Sequence, residues 1–140
     1  TAEEEETAVL RFGGADPMTE LQPVAQAEEL LAMSRESQAV HVDDSVRQYV
    51  VQIVQATRHH EAIELGASPR GSLFLHRGAQ ALAALRGRTF VIPDDVKYLA
   101  PFVLAHRLMT SPQARLRGRN KEDIIKEIVG SVPPPVEAAG

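Results

Sequence analysis

GASPRGSLFLHRGAQALAALRGR, residues 66–88, is the stretch on which the reading of this chain turns. Ser68 is a natural N-cap, and Pro69 suits the first helical turn, where its missing N–H costs nothing. An alanine-rich apolar run follows. Leu75, Gly78, Ala79, Leu82 and Leu85 form one stripe, widened by Phe74 and Ala81. The spacing predicts a mostly buried helix that ends at Gly87, with small residues that let neighbours come close. Its first turn nevertheless holds Arg70. The helix dipole disfavours a cation there by a few tenths to about 1 kcal/mol. A purely structural arginine is better placed at the other end. Arg70 makes sense if it meets an anion also drawn to the helix start, such as a phosphate. Arg77, two turns later, lies on nearly the same side and adds positive potential. Spacing alone leaves open the alternative of a surface arginine paired with a carboxylate.

Working outward, 43–60 is the clearest amphipathic helix. Asp43, Asp44 and Ser45 are all good caps. Val46, Tyr49, Val50, Ile53 and Val54 follow at helical spacing. Downstream of the opening stretch, PDDVKYLAPFVLAHRL (93–108) starts with Pro93 at a plausible first helical position and two aspartates in the first turn. Pro101 falls inside its pattern and is expected to kink or interrupt it. Asn120 caps a last helix that runs through Val129, with Asp123 three residues on, and Gly130 ends it. Upstream, 2–12 reads as a helix with four glutamates in its first turns, stopped by Gly13 and Gly14. A linker with Pro17 and Pro23 leads to a helix over 24–36, whose Val24, Ala27, Leu30, Leu31 and Met33 share one side. Short β-prone runs at 39–42 and 88–92, and perhaps a third at 114–118, complete a mainly α chain: a small helical bundle with two or three very short β-strands.

Composition sets the class. The chain has 140 residues, enough for one domain with a real core, and its 44% hydrophobic and 24% charged residues are ordinary for a soluble globular protein. No run of about 18 apolar residues is present to span a membrane. With no cysteine there is no disulfide framework and no thiolate zinc site, which fits a cytoplasmic protein. Aromatics are only 4% with no tryptophan, so a base-stacking platform is not expected, and nucleic acid is an unlikely partner. Charge is uneven: residues 1–66 hold 4 Lys and Arg against 13 Asp and Glu, a balance of −9, and residues 67–140 hold 11 against 6, a balance of +5. The second half is therefore expected to face something anionic, unless acidic and basic faces simply pack near each other.

The block from Ala56 to Leu108 resembles the lid of the MoxR family of AAA+ ATPases. The shared pattern is an ATR helix end (56–58), an LGASPR turn (65–70), an alanine-rich helix, GR (87–88), a short strand, PDDV (93–96) and HRL (106–108). EEEETAVL (3–10) is similar to the end of the helix leading out of the ATPase core, and VPPPVE (132–137) to the family's closing segment. The resemblance implies that 1–23 is a helix and linker from a core this chain lacks, 24–133 the helical AAA+ lid, and 134–140 a tail. It implies that Arg70 is the sensor 2 arginine, reaching the nucleotide's phosphates, with Ser68 and Pro69 setting its helix start and Arg77 a weaker second candidate. It further implies a ring, commonly hexameric, that uses ATP and magnesium, contacts between the lid, its own core and neighbouring subunits, and client proteins carrying von Willebrand factor A domains. One departure is Ile92, where the family commonly has threonine. Ile92 cannot cap with its side chain, so a softer helix start is expected there.

The chain carries no G-x-x-x-x-G-K-[ST] loop, its lysines Lys97, Lys121 and Lys126 lie outside glycine-rich loops, and no apolar strand ends in paired acids. By itself it is expected to bind no ATP or magnesium and to hydrolyse nothing. HHEAIE (59–64) lacks H-E-x-x-H spacing and sits at a helix exit, so no metal site is expected. His76 and His106 are single histidines within helices, read as packed or surface residues. RLRGRNK (115–121) is read as a basic, solvated turn. The competing function is a free-standing helical interaction module, an adaptor or nucleic-acid binder.

Overall fold

A computed structural model describes residues 1–13 and 17–135, so Gly14 as a helix stop and 136–140 of the tail lie outside the described residues. The chain forms two compact units, Thr1–Ala32 and Met33–Gly140. In the first, α1 (Ala2–Phe12) carries Glu3, Glu4 and Glu5 in its first turn, and the Glu4 carboxylate accepts from the Thr1 amine at 2.6 Å. A 3₁₀ turn follows at Pro17–Glu20. The second helix, α2 (Ala27–Ala39), starts three residues later than its apolar pattern suggests, because Glu29 reaches back to accept from the Gln26 amide at 2.7 Å and fixes the start. No residue of α2 is buried. Val24 lies before the helix, and Leu30, Leu31 and Met33 on it are exposed, as is Val24.

In the second unit the core is built from α3 (Asp44–Ala56), α4 (Pro69–Leu85), α5 (Pro93–Leu104) and α7 (Lys121–Ser131), with α5 packed on α4 and α7 and α3 packed on α4. Asp43 caps α3 by accepting from the Ser45 amide, and Val46, Tyr49, Val50, Ile53 and Val54 are all buried, as their spacing predicts. The stripe of α4 is turned from the expected one. Leu75 and Ala79 are buried, but Gly71, Gln80 and Ala83 complete the inner face, while Phe74 is 39% and Leu85 86% exposed. Gln80 is buried because its Nε2 donates to the Gln38 and Val40 carbonyls at 3.0 and 2.8 Å, tying α4 to the chain before α3.

Strands form where the sequence reading had none. β1 (Ile63–Leu65) pairs antiparallel with β2 (Met109–Thr110). The runs expected at 39–42 and 88–92 reduce to one parallel bridge, His41 with Phe90, closed by the His41 amide on Thr89 and the Val91 amide on His41. The third expected strand is instead a helix, α6 (Pro112–Leu116), since the Ser111 hydroxyl accepts from the Ala114 amide and Pro112 opens the turn. The helix α5 runs through Pro101 without interruption and tightens into a 3₁₀ turn at Ala105–Arg107. So near the end of a helix, a missing N–H removes a single ladder bond. Asn120 caps α7 through the Asp123 amide at 2.7 Å, and the helix continues past Gly130 to Ser131.

At the start of α5 the softness expected from Ile92 is offset. The Asp95 carboxylate accepts the Ile92 amide at 3.0 Å and also binds Arg88 twice and Arg86 once. No helix of the described residues is long and apolar enough to cross a membrane.

Candidate functional site

Arg70 stands on a turn that α3 holds from below. Thr57, at the end of α3, continues the buried face of Ile53 and is itself fully buried. Its hydroxyl donates to the Val54 carbonyl at 2.6 Å and accepts the Ala67 amide at 3.0 Å. Arg58 Nε donates to the Ala67 carbonyl at 2.9 Å. Two consecutive residues of ATR therefore satisfy both backbone polar groups of a fully buried residue in LGASPR. Gly66 makes this approach feasible, since a Cβ there would stand 2.7 Å from Arg58 Cα.

Ser68 takes the N-cap position with extended backbone, φ −73° and ψ 169°, and Pro69 opens α4. The Ser68 hydroxyl makes no capping hydrogen bond; its carbonyl accepts the Gly71 amide at 2.8 Å instead. Gly71 points inward, where a Cβ would lie 3.2 Å from both Ala67 Cβ and Leu104 Cδ2. That contact orients the helix so that Arg70, the neighbouring residue, faces out. Arg70 is exposed and has no hydrogen bond or ion pair among the described residues. The first turn of α4 holds no acidic residue, whereas α1, α2, α3, α5 and α7 each carry at least one there. An uncapped helix start with a free guanidinium beside it is chemically suited to an oxyanion. Arg77 is likewise exposed and unpaired among the described residues, one stripe along.

Arg107 joins this face, which sequence reasoning missed. Its guanidinium carbon lies 4.3 Å from the centre of the Phe74 ring, and its Nε donates to the Val103 carbonyl at 3.1 Å. Nothing in the residue spacing announces that contact, because it joins α4 to the 3₁₀ turn that follows α5. The holding role of Thr57 was more legible, since it lies four residues beyond Ile53 on the same helical face.

The remaining groups serve the fold. Burial alone would push the Asp95 carboxyl up, but the hydrogen bonds from Arg88 and the Ile92 amide, with the charges of Arg88 and Arg86, hold it below the usual carboxylate range. His60 Nδ1 accepts the Ala62 amide at 3.2 Å, and its Nε2 lies 3.5 Å from Glu127. Among the described residues no group of three His, Cys, Asp or Glu is placed to hold a metal. The basic segment 115–121 is less free than a solvated turn. Arg115 donates to the Thr110 carbonyl and Arg119 to the Glu127 carboxylate. His76 is half-buried, and burial, with Arg47 and Arg77 nearby, pushes its pKa down. His106 is exposed.

Residues 55–128 match the family model of the AAA lid domain. The chain belongs to that family. This AAA lid domain is 48% identical over 121 residues to YeaC, an uncharacterised protein of Bacillus subtilis, with 86% of this chain covered and 38% of YeaC. It is 32% identical over 139 residues to the chaperone MoxR1 of Mycobacterium tuberculosis, covering 93% of this chain and 36% of the relative. These likenesses place it with the MoxR-type AAA+ proteins. In structure it matches a crystallised candidate ATPase of Cytophaga hutchinsonii with a TM-score of 0.78 at 26% identity, over 97% of this chain and 44% of the other. The lid thus spans well under half the length of the proteins it matches.

Proposed function

We propose that this chain is the nucleotide-sensing lid of a MoxR-type AAA+ ATPase, with Arg70 as the residue that meets the nucleotide's phosphates. The observation that carries the reading is an exposed, unpaired guanidinium at the acid-free start of α4. The donors present suit phosphate: a forked cation that is always charged, beside backbone amides with no side-chain acceptor. They do not suit magnesium, which takes oxygen ligands. In this reading magnesium and the phosphate cradle are supplied by the rest of the parent protein, and this chain supplies the cation that completes the site when the lid closes. Arg70 then neutralises charge that develops on the transferred phosphoryl group. The rigid attachment of the turn to α3 passes the arginine's displacement to the helical body. A ring of subunits, remodelling of client proteins carrying von Willebrand factor A domains, and a cytoplasmic setting belong to the same proposal, supported by the MoxR likeness.

The test is turnover of the full-length parent with Arg70→Ala. ATP hydrolysis falls at least about tenfold, within the range a transition-state arginine supplies, and the melting temperature is unchanged because Arg70 is exposed and makes no hydrogen bond or ion pair among the described residues. Unchanged turnover would remove Arg70 from the site.

A further inference from the structure

We propose that Arg107 is a second phosphate-contacting residue of the same site, held in place by Phe74. The proposal rests on the reading of Arg70 given above. Arg70, Leu73, Phe74 and Arg77 fall at i, i+3, i+4 and i+7, so they form the outward stripe of α4, opposite the buried Gly71, Leu75, Ala79 and Ala83. Phe74 is one turn from Arg70. Gly71, next to Arg70, packs against Leu104, three residues before Arg107, so the segment that carries Arg107 runs past the first turns of α4.

The group on that ring is the Arg107 guanidinium, 4.3 Å from the ring centre. A ring contact of this kind takes up none of the five guanidinium N–H donors in a hydrogen bond. One donor, Nε–H, is taken by the Val103 carbonyl at 3.1 Å. The Nη donors have no acceptor among the described residues. Arg47, Arg86, Arg88, Arg115 and Arg119 each reach a carboxylate, whereas Arg107, like Arg58, gives its Nε–H to a backbone carbonyl. Arg107 is half-buried, in contact with the Phe74 ring and without a carboxylate partner among the described residues. A cation held by a ring and by its Nε, with its Nη groups unpaired, is suited to receive an oxyanion. A polyphosphate carries charge on more than one group, so two guanidinium groups from separate elements can divide it.

The experiment is titration of the full-length parent with fluorescent analogues of ATP and ADP, comparing Arg70→Ala, Arg107→Leu, Arg107→Lys and Phe74→Leu. Arg107→Leu is expected to weaken binding of the ATP analogue by about tenfold, as for loss of one charge-assisted hydrogen bond, and of the ADP analogue by less. Arg107→Lys keeps the charge and recovers part of the loss. Phe74→Leu leaves the cation present but unsupported, and falls between. The proposal is overturned if Arg107→Leu changes neither affinity while Arg70→Ala does. It is equally overturned if Lys and Leu at 107 are impaired alike, since that pattern belongs to packing. If Arg70→Ala also leaves both affinities unchanged, the failure lies with the site reading itself.

Discussion

The Thr57 hydroxyl accepts the Ala67 amide at 3.0 Å, so the residue that closes α3 fixes the residue that leads into α4. The bond is buried at both ends. Thr57→Val keeps the shape but leaves the Ala67 amide and the Val54 carbonyl without this hydroxyl. Leaving a buried donor unpaired costs about 1–3 kcal/mol. Urea unfolding of this chain is expected to show a loss in that range, with the slope unchanged. A loss below a few tenths would mean that the turn finds another acceptor.

Glycines make a paired test. At Gly66 an added Cβ meets Arg58 backbone at 2.7 Å, so Gly66→Ala must shift the turn, at a cost of about 1–3 kcal/mol for overpacking. At Gly130, inside α7, a Cβ meets nothing within 4 Å. Gly130→Ala should stabilise, by up to about 1 kcal/mol of helix propensity. Melting temperatures of the two variants are expected to move in opposite directions.

Asp95 is 0% exposed, and its partners Arg88 and Arg86 are 22% and 45% exposed. Breaking a buried ion pair costs about 3–5 kcal/mol. The lower end is expected for Asp95→Asn, because the freed Arg86 can turn to solvent. The same carboxylate sets a behaviour at low pH. Its pKa is lowered in the fold, so its contribution is complete above the ordinary value of 3.8 and is lost as pH falls through the lowered one. Acid unfolding of Asp95→Asn should lack that step.

His76 acts at milder pH. Its pKa is lowered in the fold, through burial first and then Arg47 and Arg77, so the unfolded chain takes up the proton first. Stability is therefore expected to fall as pH drops below the ordinary value of 6.5. His76→Gln should flatten the melting temperature between pH 7.5 and 5.5. An identical slope in the variant would show that other groups carry the dependence.

Where local chemistry decides structure, the sequence was a good guide. The stripe of α3, the Asn120 cap and the Pro93 start are settled by residues within one or two turns of each other. Errors fall where partners are distant. His41 and Phe90 are β-prone, yet only one bridge forms, because neither neighbourhood offers a longer partner. Ile63 and Thr110 pair across 47 positions, a relation no local pattern carries. Ser111–Pro112 opens a helix as Ser68–Pro69 does, and that signal was available at both places. In the proposed site, the odd position of Arg70 against the dipole is matched by its exposure and its lack of an internal partner among the described residues. Arg107 was not legible in the sequence, because its meaning comes from a ring on another helix.

The inward packing of Gly71 has a consequence for how such lids can diversify. With Ala67 and Leu104 pressed against it, position 71 cannot be used to tune the neighbouring arginine. Thr57, Arg58 and Gly66 are equally committed to holding the turn. Under the proposed function, adjustment of the anion response then falls to Ser68, Leu73 and Arg77, which are exposed, and to the Phe74–Arg107 pair. Libraries varied at Ser68, Leu73 and Arg77 would search that proposed response without disturbing the buried contacts of Gly71.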